Sequence, residues 1–144
     1  MFDELLKLVN GTVAWTKANL DSYGVPTSTT VNAGGFDVID LGKTGAQGIS
    51  VVAIFPTAAT ANGTKYLELT IEACDDAAFP SAIKELLTFG GATIRRIIPS
   101  ETPAVFIGRV STTLRYIRAK AVGQAGCDFK LAQVLLTPYA FNVL

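Results

Sequence analysis

The stretch that decides the fold is Tyr66–Phe79, YLELTIEACDDAAF, in which the side chains sort by parity before the chain enters an acidic turn. Apolar residues take one face and polar residues take the other, the two sets being Leu67, Leu69, Ile71 and Ala73, and Tyr66, Glu68, Thr70 and Glu72. A period of two with one apolar face predicts a strand of an antiparallel sheet, with its polar face toward water or a partner. A strand buried inside a parallel sheet would be apolar on both faces.

Composition predicts one domain with more apolar surface than its own core needs. The chain has 144 residues, of which 49% are hydrophobic and 17% charged, and its mean hydropathy is +0.38. A chain of this length buries roughly two thirds of its unfolded surface, so we expect another molecule to cover part of the rest. Charged residues interrupt every apolar run before about 20 residues, which predicts no transmembrane helix and no membrane partner. The start, MFDELLKLVN, lacks the basic region of a secretory signal, so we expect synthesis in the cytoplasm.

Cysteine and histidine usage argues against metal chemistry. Cys74 and Cys127 are the only cysteines, and the chain has no histidine. Neither a zinc site nor histidine-based catalysis is therefore expected. Two reduced, buried thiols are the default in the cytoplasm, although both residues border predicted strands, which leaves a disulfide between them open.

The carboxylates are poorly placed for catalysis. Glu68 and Glu72 share a strand face, but residues four apart on a strand lie roughly 13 Å apart, beyond the ~5–9 Å that separates the carboxyl groups of glycosidases. Serine and threonine are plentiful, yet no G-x-S-x-G turn is present to place a nucleophile. We therefore predict no enzymatic activity, no catalytic residue, no cofactor and no metal.

Strand signals recur along the rest of the chain at intervals of about 8–12 residues, with turn residues between them. The segments are Phe36–Leu41, Ile49–Phe55, Tyr66–Cys74, Ala82–Phe89, Thr93–Ile98, Val105–Val110, Leu114–Val122 and Asp128–Leu136. Ala82–Phe89 fits either a strand or one helical turn. Asp128–Leu136 is apolar on both faces, which indicates a central strand or one covered by another subunit. About eight such strands predict an all-β fold, an antiparallel jelly-roll sandwich.

The N-terminal segment Met1–Leu20 carries the one helical pattern. Its apolar residues recur at helical spacing, and they are Phe2, Leu5, Leu6, Val9 and Val13. Gly11 argues against a long helix. A helix over this segment and an arm with one short helical turn that is extended around Trp15 are equal alternatives.

A turn-rich linker, Ser22–Gly35, follows this segment. It predicts two parts, an N-terminal arm and linker over residues 1–27 and a jelly-roll domain over residues 28–144. The arm either packs in a groove on a neighbouring subunit or folds back over Asp128–Leu136.

The segment from Thr102 to Cys127 has no acidic residue. Its cations are Arg109, Arg115, Arg118 and Lys120. Such a segment either steers the protein toward an acidic partner or is the wet face of ordinary strands. No nucleic-acid-binding motif accompanies it, so no nucleic-acid partner is expected.

Three segments together resemble the jelly-roll cement, or decoration, proteins of tailed bacteriophage capsids. Ser28–Gly42, STTVNAGGFDVIDLG, is similar to the lead-in and V-I-D-L-G turn of that family. Tyr66–Phe79 resembles its strand of the type L-T-I-E-x-x-x-D-x-A-F, and Arg115–Leu136, RYIRAKAVGQAGCDFKLAQVLL, resembles its R-Y-(I/L)-R hairpin and closing strand. The resemblance covers about 50 residues, and the segment Met1–Leu20 matches the family less well, with an insertion before Ser28.

The resemblance implies a structural virion protein on the capsid surface, which trimerises and locks neighbouring major capsid proteins together. The expected partners are the major capsid protein and further copies of this chain. Contacts are expected on the arm and on the acid-free segment, through Phe2, Leu5, Leu6, Trp15, Arg109, Arg115, Arg118 and Lys120. The alternative is a carbohydrate-binding or host-attachment jelly roll. Sugar platforms usually need clustered aromatic side chains, and the tryptophan and tyrosine residues of this chain are spread along the sequence, at Trp15, Tyr23, Tyr66, Tyr116 and Tyr139.

The parity of Tyr66–Phe79 predicts opposite responses to two adjacent substitutions. Leu69→Ala removes a core side chain and should lower the free energy of unfolding by roughly 2–5 kcal/mol through cavity formation. Glu68→Ala, on the polar face, should change it by no more than about 0.5 kcal/mol. Urea denaturation of both variants checks this, and equal losses would mean that the two faces are assigned wrongly.

Overall fold

The computed structural model describes residues 6–56, 65–90 and 104–137. These residues form ten strands and one short helix. The elements are β1 (Lys7–Val9), β2 (Ala14–Thr16), α1 (Lys17–Tyr23), β3 (Val38–Asp40), β4 (Ala46–Phe55), β5 (Leu67–Cys74), β6 (Lys84–Gly90), β7 (Ala104–Thr112), β8 (Tyr116–Gly123), β9 (Asp128–Leu131) and β10 (Gln133–Thr137). The segment Ala82–Phe89 is thus a strand from Lys84 onward, and the predicted strand Thr93–Ile98 lies outside the described residues.

The main strands form two antiparallel sheets in the order of a jelly roll. The first sheet has the order β1-β10-β4-β7 and the second sheet has the order β3-β8-β5-β6, while β2 and β9 form a separate two-stranded ribbon. The strand pairs are nested along the sequence, so that the outermost strands pair with each other and the innermost do the same. The pairs are β1 with β10, β3 with β8, β4 with β7 and β5 with β6. A long hairpin of eight strands rolled into two sheets has this pairing, so the predicted jelly-roll sandwich is confirmed.

The core lies between the two sheets, where the predicted inward-facing residues are found. Five residues predicted for the core, Leu67, Leu69, Ile71, Ile117 and Ala119, are fully buried. Across β5 and β8, Ile71 lies directly opposite Ala119, and Leu69 lies opposite Ala121, which is also buried. The alternation that the sequence indicates for the inner face is therefore correct.

The closing strand is broken rather than continuous. β9 pairs with β2, whereas β10 pairs with β1 and β4, and Ala132 separates them. Just before the break, Lys130 has a positive φ of 57°, which turns the chain from one partner to the other. This change of partners explains why both parities of Asp128–Leu136 carry apolar residues, and β10 is central, as one of the two alternatives predicts.

Strands β1 and β2 of the N-terminal segment are extended and pair with β10 and β9 of the same chain. The helical pattern predicted over Phe2–Val13 is wrong where the structure describes it, because Lys7–Val9 is a strand. The helix begins only at Lys17, where the Thr16 hydroxyl accepts a hydrogen bond from the Asn19 N–H at 3.3 Å, as an N-cap residue does. Short apolar runs do not distinguish a strand from a helix, and here pairing with β10 decides for the strand.

Deleting residues 1–20 should abolish the cooperative unfolding transition. The deletion removes β1 and β2, and it removes Leu8, Trp15 and Leu20 from the core. Losing one buried Trp side chain costs about 3–5 kcal/mol, against a total stability of about 5–15 kcal/mol for a domain. Thermal unfolding followed by circular dichroism, with the full chain as control, is the measurement. A truncated chain that kept the full-length transition would show that this segment packs elsewhere.

Candidate interaction surfaces

The acid-free segment does not present its four cations on one surface. Arg109 is exposed on the outer face of the first sheet, opposite Ser50. The other three lie on or beside β8 in the second sheet, where Arg115 and Lys120 are partly exposed and Arg118 is buried. The four cations therefore do not form one continuous basic surface.

Arg118 belongs to a buried ion pair, which corrects its expected place on the wet face. Its side chain and that of Glu72 are 4% and 3% exposed. The Arg118 Nε and Nη2 atoms donate to Glu72 Oε2 at 2.9 and 2.7 Å, across the directly paired strands β5 and β8. Lys120 Nζ reaches the other carboxylate oxygen at 3.4 Å. A buried carboxylate needs such partners because desolvation of an isolated charge is costly.

Two segments distant in sequence, at Pro26 and at Phe79, cover this buried ion pair. The alternation of apolar and polar residues along β5 predicts neither contact. Arg118 Nη1 donates to the carbonyl oxygen of buried Pro26 at 2.8 Å, and the Phe79 ring lies 4.1 Å from the guanidinium carbon, a cation–π distance. Phe79 itself has φ 51°, which is unusual for a bulky residue. The acidic turn holds Phe79 in this position through Asp76. The Asp76 carboxylate accepts a hydrogen bond from the Ala78 N–H, and the Asp76 carbonyl accepts one from the Phe79 N–H.

Arg115 forms a second ion pair at the exposed end of β3. Its Nε donates to Asp40 Oδ1 at 3.0 Å, and its Nη2 donates to Asp40 Oδ2 at 2.7 Å. These hydrogen bonds hold the pKa of the Asp40 carboxyl below its usual range, and they raise the pKa of Arg115. The guanidinium also lies 5.0 Å from the Tyr116 ring centroid. Arg115 is thus already engaged within its own chain.

The N-terminal residues expected at an interface divide between core and surface. Trp15 is 1% exposed and stacks on Phe36 with ring centroids 5.4 Å apart, which corrects its expected place in a neighbour's groove. Leu6 is partly buried against the same core. Phe2 and Leu5 lie outside the described residues.

The exposed aliphatic side chains of β7 form an apolar patch that our sequence analysis did not predict. Val105 and Ile107 are 54% and 48% exposed, and they lie directly opposite Ile54 and Val52 of β4 on the outer face of the first sheet. The run Val105-Phe106-Ile107 is apolar at both parities, which is the sequence signal that could have revealed it. Exposed apolar patches of this kind mark contact sites more often than single exposed residues do.

A polar cleft of about 330 Å³ opens on another side of the molecule. Its lining residues are Lys7, Asn10, Thr12, Val31, Gly35 and Asp37. Burial raises the pKa of the Asp37 carboxyl, and the opposing effect of its hydrogen bond with the Val38 N–H is smaller. The described residues include no group of three or more clustered metal-ligating side chains.

Comparison of the chain with protein-family models finds no match, and comparison with curated proteins finds none either. Within the described ranges, no helix is long and apolar enough to cross a bilayer. Both cysteines are buried with free thiols, and burial raises the pKa of the Cys127 thiol. The functional candidates among the described residues are thus the exposed apolar patch of β7, the polar cleft and the ion pairs of Arg115 and Arg118.

Glu72 and Glu68 should respond very differently to alanine substitution, although they share one face of β5. Glu72→Ala leaves Arg118 buried without its carboxylate, which should lower the free energy of unfolding by about 3–5 kcal/mol. Glu68→Ala is the matched control and should change it by no more than about 0.5 kcal/mol. Urea denaturation measures both. A small loss at Glu72 would mean that Arg118 can reach water.

Proposed function

We propose that this chain is a structural protein of a bacteriophage virion, which binds the outside of the capsid and cements neighbouring subunits of the major capsid protein. The observation that carries the proposal is the exposed aliphatic surface of β7, where Val105 and Ile107 lie beside the exposed cation Arg109. A sheet face with exposed aliphatic side chains and a charge beside them is suited to another protein surface.

The contacts between the resembling segments also support this proposal. Asp40 of the V-I-D-L-G turn binds Arg115, the first residue of R-Y-I-R. Glu72 and Phe79 of the second segment both contact Arg118, the last residue of R-Y-I-R. Residues that were selected only because their segments resemble one family are thus in direct contact with each other in this fold. A shared fold explains such a set better than separate chance similarities do.

Cementing by this chain is a matter of mass action. A protein that binds only the assembled shell raises the stability of that shell by RT ln(1 + [L]/Kd) at each site, about 2.7 kcal/mol at a hundredfold excess over Kd. Many sites of moderate affinity are then sufficient. The proposed partners are the major capsid protein and further copies of this chain, assembled as a trimer.

The second candidate function is carbohydrate binding, and the polar cleft lined by Asn10, Thr12 and Asp37 favours it. Amide, hydroxyl and carboxyl groups are suited to the hydroxyls of a sugar. Lectin-type sites usually add an exposed aromatic platform. Among the described residues, every large hydrophobic side chain that is exposed is aliphatic, which makes this function the weaker candidate.

Co-sedimentation tests the proposal directly. The purified chain should pellet with empty shells assembled from the major capsid protein of the phage that encodes it, and it should raise the temperature at which those shells disrupt. Shells of an unrelated phage serve as the control. Failure to pellet, combined with binding to immobilised glycans, would replace this proposal with the carbohydrate-binding function.

A further inference from the structure

Residues Asn10, Gly11 and Thr12 form a turn between β1 and β2. Asn10 and Gly11 are partly exposed, and Thr12 is exposed. Gly11 has a φ of 75°, a conformation that glycine adopts without strain because it has no Cβ atom. Asn10 and Thr12 also line the polar cleft, together with Asp37. Water therefore has access to this turn and to the side-chain amide of Asn10.

The hydrogen bonds of the turn prepare the Asn10 side chain for attack by a nucleophile. Its carbonyl oxygen accepts hydrogen bonds from the Thr12 N–H at 3.2 Å and from the Thr12 hydroxyl at 2.9 Å. Donors at a carbonyl oxygen stabilise the negative charge that develops there when a nucleophile adds to the carbon. The adjacent nucleophile is the Gly11 nitrogen, and glycine has no side chain to obstruct its approach.

Neither the attacking nor the leaving nitrogen is held by a hydrogen bond. Across residues 6–56, 65–90 and 104–137, the Gly11 N–H donates none, and the Asn10 Nδ2 atom donates none. The Gly11 proton is thus open to a base in solution. The Asn10 side-chain nitrogen can leave without breaking a contact.

We propose that Asn10 is a site of spontaneous covalent modification, at which the folded chain converts the side-chain amide into a carboxylate. Hydroxide takes the proton of the Gly11 nitrogen, this nitrogen forms a bond to Asn10 Cγ, and the Cγ–Nδ2 bond breaks. The departing nitrogen takes a proton from water and leaves as ammonia. A further water molecule then opens the cyclic succinimide, which leaves either aspartate or isoaspartate at this position. The inference is independent of the proposed function.

Both products change the polar cleft. They add a carboxylate beside Asp37, whose pKa is already raised by burial. The isoaspartate product also carries the main chain through Cγ, which lengthens the backbone next to the Asn10 N–H. That N–H binds the Gly35 carbonyl at 3.0 Å and helps to join β1 to the chain leading into β3. The reaction therefore alters both the charge of the cleft and the junction beside it.

Asn32 provides a control within the same chain. Its side-chain oxygen likewise accepts two backbone N–H donors, at 3.0 and 3.1 Å. It is followed by Ala33, whose Cβ atom obstructs the attack. Its Nδ2 atom donates to the Tyr23 carbonyl at 3.0 Å, so the leaving group is held. Asn32 should therefore remain an amide under conditions in which Asn10 reacts.

Peptide mapping of the full chain, incubated at mildly alkaline pH, tests the proposal. The tryptic peptide Leu8–Lys17 has Asn10 as its one asparagine, and Ala18–Lys43 contains Asn32. Conversion makes a peptide about 1 Da heavier, and we expect it at Asn10 about tenfold faster than at Asn32 or more. The folded chain should convert Asn10 at least as fast as the chain unfolded in guanidinium chloride. Slower conversion in the folded state, or equal rates at the two asparagines, would overturn the inference.

Thr12→Val tests whether the turn promotes the reaction. Valine keeps the shape and the backbone N–H of Thr12 and removes the hydroxyl that binds the Asn10 oxygen. Losing this donor should slow conversion of Asn10 about threefold to tenfold, with an unchanged circular dichroism spectrum. Thr113→Val, at an exposed threonine in the turn between β7 and β8, is the matched control and should leave the rate unchanged. A Thr12→Val chain that reacts as fast as the parent would overturn the inference that this turn drives the conversion.

Discussion

The buried ion pair between Arg118 and Glu72 is the constraint on which the arrangement of the second sheet depends. Taking two charges out of water costs several kcal/mol per ion, and the cost is offset only when every donor and acceptor is satisfied. Here the third nitrogen of the Arg118 guanidinium, Nη1, donates to the Pro26 carbonyl, and the Phe79 ring lies over one face of the guanidinium. The pair is therefore stable only when two distant segments are in place.

Those two segments connect the ion pair to the rest of the molecule. Pro26 follows helix α1, and Gly24 before it accepts a hydrogen bond from the Ala121 N–H at 2.8 Å. The N-terminal residues are thus tied to β8 as well as to β9 and β10. On the other side, the acidic turn after β5 directs Phe79 back over the sheet it has just left. One ion pair therefore links the start of the chain, the turn after β5 and the hairpin strand β8.

This arrangement changes which residues are free to meet a partner. Arg115 and Arg118, the charged residues of R-Y-I-R, have their partners inside the chain. The side chains of Arg109, Val105 and Ile107 on β7 are instead exposed on the protein surface. The N-terminal segment belongs to the residues that build the fold, since a bridge between Val9 and Phe36 joins β1 to the chain leading into β3. The architecture thus separates residues that build the fold from residues that can bind.

The sequence alone determined the strand class, the inner faces and the sandwich, because each depends on local alternation along β5 and β8, where Leu69 and Ile117 already mark the core. It also predicted that Asp128–Leu136 is a central strand or a covered one. Only the tertiary structure decided which residues on the outer faces are buried. Glu72 and Arg118 follow the same local pattern as Glu68 and Lys120, yet Glu72 and Arg118 are buried. The physical reason is that Pro26 and Phe79 cover part of the outer face from far along the chain. An alternation with a period of two along a strand predicts which side of the sheet a residue faces. Whether that residue is buried depends on what else packs on that side.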